Sequence, residues 1–235
     1  MTVSQSDWPE VPGHIDPDSN ERRFFNPHQW ETVEAITARI MPTDHDPGAR
    51  EARVVVFIDR YLSGTGHIFA TGDGEGFLQL QGKRAQAWRA RIATMQEVYK
   101  AGIADVDRLA NETFGADFKH LNDDQQDEVF AKYSGQPKPP PIDLGRSEAV
   151  NSFLQGVADD GMGFFDAICL HTRQGFYSDP VYGGNKDRVG WDVIGFPGPK
   201  SLRDTQTCEY SLEAYFVQDY AWEELVPQYG ESQGT

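Results

Sequence analysis

Apolar residues recur at spacings of three and four along most of this chain, and that period commits it to helices. Trp30, Val33, Ile36 and Ile40 make one such face, and Val54, Phe57, Ile58, Tyr61 and Leu62 a second. Trp88, Ile92, Met95, Val98 and Tyr99 make a third, continued by Val106, Leu109, Ala110 and Phe114. Val129, Phe130 and Tyr133 follow, then Val150, Phe153, Leu154, Val157, Phe164, Phe165, Ile168 and Cys169. The expected fold is mainly α: a compact helical domain over 24–175, with an N-terminal arm over 1–23. An irregular segment and C-terminal arm fill 176–235.

The helix ends are marked by local chemistry. Asn26 is a good N-cap and Pro27 suits the first helical position, while Pro42 stops the same helix. The turn PTDHDPGA leads to a second helix from about Ala49 to Leu62. In that turn, Asp44, His45 and Asp46 fit Asx-type capping better than a calcium loop, which needs more oxygen ligands and a closing Glu. Asp59 stands on an otherwise apolar face and is expected to bond a backbone amide or a basic side chain. Gly102 is read as a break in the helical run 81–114. Asn122 and Gln125 have capping-box spacing. Residues 135–145, with Pro137 and prolines 139–141, form a stiff connector, and Gly156, Gly161 and Gly163 interrupt the helical pattern after it.

The period is then abandoned. Residues 171–199, HTRQGFYSDPVYGGNKDRVGWDVIGFPGP, hold Phe176, Tyr177, Tyr182, Trp191 and Phe196 among six glycines. A long irregular segment inside a compact domain is uncommon unless it has work to do. Rings held by tight turns suit recognition, and His171 is read as the helix-end residue that delivers the chain to this segment. The tail beyond Lys200, with Tyr210, Tyr215, Phe216, Tyr220 and Trp222, is expected to be an arm packing on this protein or another.

A formal net charge of −16 argues against nucleic acid and against an anionic membrane surface. No run reaches the ~18 apolar residues of a membrane span. The N-terminus lacks a basic n-region and an apolar h-region, so a cytoplasmic location is expected, or a periplasmic one if export occurs with a partner or a signal has been removed. Cys169 and Cys208 are too few for a disulfide scaffold; Cys169 reads as a small buried hydrophobe, and whether the two pair stays open.

The search for chemistry finds little. The six histidines lack HxxxH and HExxH spacing. The glycine-rich run 63–76 lacks the third glycine of GxGxxG and the Lys-Ser/Thr of a P-loop, so it reads as a surface loop with His67 exposed. Asp159-Asp160 and Glu223-Glu224 are adjacent pairs whose side chains diverge on a helix, and a solvated acidic surface is their default. No catalytic, cofactor-binding or metal-ligating residue is assigned.

Two blocks carry a family likeness. The first, FFNPHQWETVEAITARIMPTDHDPGAREARVVVFIDRYL, has a helix ending in Pro-Thr-Asp, then a Pro-Gly-Ala turn into a helix containing Phe-Ile-Asp. The second, GFYSDPVYGGNKDRVGWDVIGFPGP, has Asp-Pro, Tyr-Gly-Gly-Asn, Gly-Trp and Gly-Phe-Pro-Gly in order. With the helices between them they cover roughly residues 24–199, and together they resemble the gluconate 2-dehydrogenase subunit 3 family. The resemblance implies a small helical, non-catalytic subunit that binds and stabilises a large chain of the glucose–methanol–choline (GMC) type. That chain carries FAD and oxidises a sugar or glycoside, with a cytochrome c or another acceptor taking the electrons. Many family members carry a twin-arginine signal, which this sequence lacks. On this reading His171, Asp179, Pro180, Tyr182, Gly183, Gly184, Asn185 and Trp191 shape or make the contact with the large chain. The competing expectation is an independent helical carbohydrate-active enzyme working through carboxylates.

Overall fold

A computed structural model describes residues 19–64, 69–70, 77–78, 82–135, 159, 161–196 and 198. The arm before Ser19, the Pro-rich connector, the helical pattern from Ser147 to Val157, His67, Cys208 and the C-terminal tail lie outside the described residues. Six helices follow in order: α1 Pro27–Ile40, α2 Val54–Leu62, α3 Gly82–Phe114, α4 Asp123–Ser134, α5 Phe164–Tyr177 and α6 Val189–Val193. Strand β1 Phe69–Ala70, inside the glycine-rich run, pairs antiparallel with β2 Phe77–Leu78 just beyond it. The fold is mainly α.

The start of α1 is built as its sequence demands. The Asn26 side chain accepts the Gln29 amide at 2.9 Å, and Gln29 Oε1 accepts the Asn26 amide at 3.1 Å. Asn122 and Gln125 repeat this at α4. The second helix begins later than expected, at Val54. Gly48 is pressed against the end of α1, where a Cβ would stand 2.6 Å from the Met41 carbonyl oxygen. The Ala49 amide donates to that oxygen at 2.8 Å, so residues 49–53 turn back under α1 before α2 can start. Arg53 closes the turn at φ 53°, in the left-handed region.

Asp59 behaves as its place on an apolar face requires. It is fully buried and accepts the amides of Arg23, Phe24 and Phe25 at 2.6, 3.0 and 2.8 Å. A buried carboxylate needs such partners, and here they tie the end of the N-terminal arm to α2.

The break expected at Gly102 is absent: α3 runs unbroken through it. A Cβ at Gly102 would lie 2.0 Å from Phe164 Cγ, so the glycine answers a packing need. It lets the first residue of α5 press against the α3 backbone.

The core lies among α1, α2, α3 and α5, with Val33, Ile36, Ile58, Leu62, Tyr99, Val106 and Ile168 buried in it. α2 packs on α5 and α1, and α3 packs on α4, α5 and α2. Arg39 clamps α1 to α4, reaching Asp127 at 2.8 and 3.0 Å and Asp123 at 2.6 Å. No helix among the described residues is long and apolar enough to cross a membrane.

Candidate functional site

The irregular segment after α5 is held by backbone contacts that only glycine allows. Gly183 (φ 101°) lies over α2, where a Cβ would meet Arg60 and Val56 at about 3 Å. A Cβ at Gly184 would fall 2.0 Å from the Gly175 carbonyl oxygen, and one at Gly190 would fall 2.0 Å from that of Phe176. Both neighbours are backbone atoms of α5 and cannot swing aside. Gly175 in turn makes room for Phe57 of α2.

Side chains complete the framework. Asp179 Oδ1 accepts the Val181 amide at 3.0 Å and caps a short 3-10 turn that begins at Pro180. Burial pushes the Asp179 carboxyl up, opposed by the Val181 amide and by Arg188. Asn185 is fully buried at φ 47°; its Nδ2 donates to the Ser178 carbonyl and its Oδ1 accepts the Gly190 amide, both at 2.8 Å. The Trp191 indole N–H donates to the Tyr177 carbonyl at 2.8 Å. The Lys186 amide donates to the Ala52 carbonyl at 3.1 Å. The two sequence blocks that carry the family likeness therefore pack on each other, the segment touching both the turn at Ala52 and α2.

This geometry revises the reading of individual residues. Gly183, Gly184, Asn185 and Trp191 were expected to face a partner, but their side chains and Cα atoms are buried within this chain. They shape the segment from inside. Asp179, Pro180 and Tyr182 are half-buried. The large apolar side chains left exposed among the described residues are Tyr177, Val193 and Ile194, at 39%, 39% and 57%. α5 continues across the expected boundary at 175–176 as one helix.

His171 is also placed differently from expectation. It lies within α5, two turns before the helix ends, and is 1% exposed. It therefore does not cap a helix C-terminus. Gly175, four residues on, is a packing site inside the helix. His171 Nδ1 faces the Tyr99 hydroxyl at 2.8 Å and Nε2 faces Asp159 at 3.1 Å.

Asp159, read from sequence as a solvated acid, is instead the centre of a buried cluster. It is 0% exposed. It accepts the Tyr61 hydroxyl of α2 at 2.6 Å, the His171 Nε2–H of α5, and a close two-nitrogen pairing from Arg91 of α3. Burial alone would raise its carboxyl. The hydrogen bonds of His171 and Tyr61 and the adjacent Arg91 guanidinium outweigh that and hold it well below the usual carboxylate range. Burial pushes the Tyr61 hydroxyl well above its ordinary value, helped by Asp159, and does the same to Tyr99. The Tyr61 and Tyr99 rings lie 4.7 and 5.8 Å from the imidazole, and the Arg91 guanidinium stands 5.7 Å from the Trp88 ring. No sequence pattern announces this set, because its members are far apart in the chain and only the packing of three helices joins them.

The chemistry available to the cluster is limited. Its carboxylate is ionised and occupied by donors, its tyrosines hold their protons, and its imidazole is sealed from solvent. Such a network fixes a core. The thiol of Cys169 is pushed up to about 11 by burial, which leaves it a poor nucleophile at neutral pH. Asp44, His45 and Asp46 cluster at the surface; the Asp46 amide donates to Asp44 Oδ1 at 2.9 Å, the Asx turn expected there.

The family model described as gluconate 2-dehydrogenase subunit 3 matches residues 27–198 of the chain. Comparison with curated proteins and with solved structures finds no match.

Proposed function

The chain belongs to the gluconate 2-dehydrogenase subunit 3 family, and from that membership we propose that it is a non-catalytic small subunit of a flavin-dependent sugar or glycoside dehydrogenase. Its partner is a large GMC-type chain that carries the FAD and performs the hydride transfer. This chain keeps that partner folded and soluble. The observation that carries the reading is the fate of the buried ionisable groups. Asp159, Tyr99 and His171 are buried and, with the half-buried Tyr61, are satisfied by one another, whereas the family-matching segment is rigidly shaped at the surface. An enzyme's reacting groups are reachable and poised near working pH; these are neither.

The test is expression of a candidate large FAD-binding chain of the GMC type with and without this one. With it, the large chain is expected to be soluble, flavin-loaded and active on a sugar or glycoside. A large chain fully soluble, loaded and active alone contradicts the proposal. Sugar turnover by this chain alone supports the competing reading of an independent carbohydrate-active enzyme.

A further inference from the structure

The buried cluster around Asp159 has no entrance for a substrate, but an electron needs none. Four rings stand in successive contact from the half-buried Trp88 to the core. Trp88 of α3 meets the half-buried Tyr61 ring edge-on at 5.5 Å. The Tyr61 ring lies 4.7 Å from the His171 imidazole. The imidazole in turn lies 5.8 Å from the Tyr99 ring, with 15° between their planes. Tyr99 is 0% exposed and His171 1%. Steps of this length let an electron tunnel from ring to ring, and indole and phenol are the side chains that can supply one.

A tyrosine gives up an electron readily only if its phenolic proton leaves as well, because the oxidised phenol is a very strong acid. A base must therefore already be bonded to the hydroxyl, and Tyr99 has one. Asp159 is ionised and can only accept, so the nitrogen facing it, His171 Nε2 at 3.1 Å, carries the ring hydrogen. Nδ1 is then the bare nitrogen, and it accepts the Tyr99 hydroxyl at 2.8 Å. Tyr61 lacks such a base. Its hydroxyl donates at 2.6 Å to Asp159, which, against its burial, is held well below the usual carboxylate range by His171, Tyr61 and Arg91. That carboxylate is too weak a base to take a phenol proton. Trp88 cannot keep the vacancy either. The Arg91 guanidinium stands 5.7 Å from its ring and opposes a positive charge there.

We infer that Tyr99 is a proton-coupled redox site: an outer-sphere one-electron oxidant at the surface draws an electron through Trp88 and Tyr61, and the vacancy settles on Tyr99 as a neutral phenoxyl radical. In that step the oxidant gains one electron and the Tyr99 O–H bond breaks. The proton forms an N–H bond at His171 Nδ1, and the imidazolium so made faces the Asp159 carboxylate, which balances its charge. The imidazole is sealed from solvent, so the proton stays beside the radical. When a reductant returns an electron, the proton returns to Tyr99 and the site is restored. Asp159 positions the imidazole and fixes which nitrogen is bare. The site goes beyond the subunit reading and does not rest on it.

The experiment uses the full chain with photogenerated tris(bipyridine)ruthenium(III) as the oxidant, and radicals are read by EPR after rapid freezing. The expected result is a neutral tyrosyl signal that is lost in Tyr99→Phe. In Tyr61→Phe the signal is expected to persist but form more slowly, because the ring that relays the electron is harder to oxidise. Formation is also expected to slow in heavy water, since a proton moves with the electron. Should Tyr99→Phe fail to fold, the unaltered chain decides the matter with histidine labelled by a heavy nitrogen isotope. A hyperfine coupling from the radical to an imidazole nitrogen is expected. The inference is overturned if the unaltered chain gives no tyrosyl signal, if the signal stays on tryptophan, if Tyr99→Phe folds and keeps the signal, or if the radical shows no imidazole coupling. None of these results bears on whether the chain binds a flavoprotein.

Discussion

Asp59 and Asp159 show how far a single residue can be read in isolation. Asp59 was legible: an acid on an apolar face needs donors, and three backbone amides supply them. Replacing it with Ala leaves those amides without their acceptor and is expected to destabilise the protein by on the order of 3 kcal/mol in urea titration. Asp159 was not legible, because Arg91 and Tyr61 stand 68 and 98 positions away. Losing one partner of a buried pair costs ~3–5 kcal/mol. With Arg91 29% exposed, solvent screens part of that, and Asp159→Ala is expected to cost about 2–3 kcal/mol at pH 7. The sign of its pH dependence follows from the lowered carboxyl. The folded form binds this proton less readily than the unfolded chain, so the stabilisation is complete above pH ~4 and is lost as pH falls toward the lower folded value. Chemical denaturation at a series of pH values should show the gap between wild type and Asp159→Ala closing below pH ~4.

At the scale of the element, caps were readable and packing glycines were not. Asn26 with Gln29 and Asn122 with Gln125 place the starts of α1 and α4 because the chemistry is local. Gly102 looks like a helix breaker in sequence and Gly175 stands at the expected end of the helical domain, yet both lie inside helices, and each admits a phenyl ring from another helix. Nothing within four residues of a glycine reveals what will press on it. The consequence can be measured. Gly102→Ala gains up to ~1 kcal/mol of helix propensity but drives a methyl into Phe164, and a net loss of about 2 kcal/mol is expected. Gly163→Ala meets no atom at its Cβ, so only the weaker N-cap of α5 is lost, and a cost below about 1 kcal/mol is expected in the same thermal melts. Asn185→Ala removes two hydrogen bonds at a left-handed position. It is expected to cost about 2 kcal/mol, read in the same thermal melts.

At the scale of the molecule, the mainly α fold followed from period and caps, and the second block stood out in sequence as an irregular unit. What its composition could not give was direction. Glycine and aromatic content mark a tightly built segment equally well whether the rings face inward or outward. Here Trp191 and Phe176 face in, and Tyr177 and Ile194 face out. The two family blocks meet through Ala52 and Lys186 and across Gly183. The account's central claim is that the surface of this segment serves a second, flavin-bearing chain. The most direct measurement is size-exclusion chromatography of the co-expressed pair, with protein and flavin absorbance followed together. The account predicts one peak in which this chain and the large chain co-elute at fixed ratio with flavin absorbance. Separate elution, with this chain a flavin-free monomer and the large chain stable and loaded by itself, would contradict it.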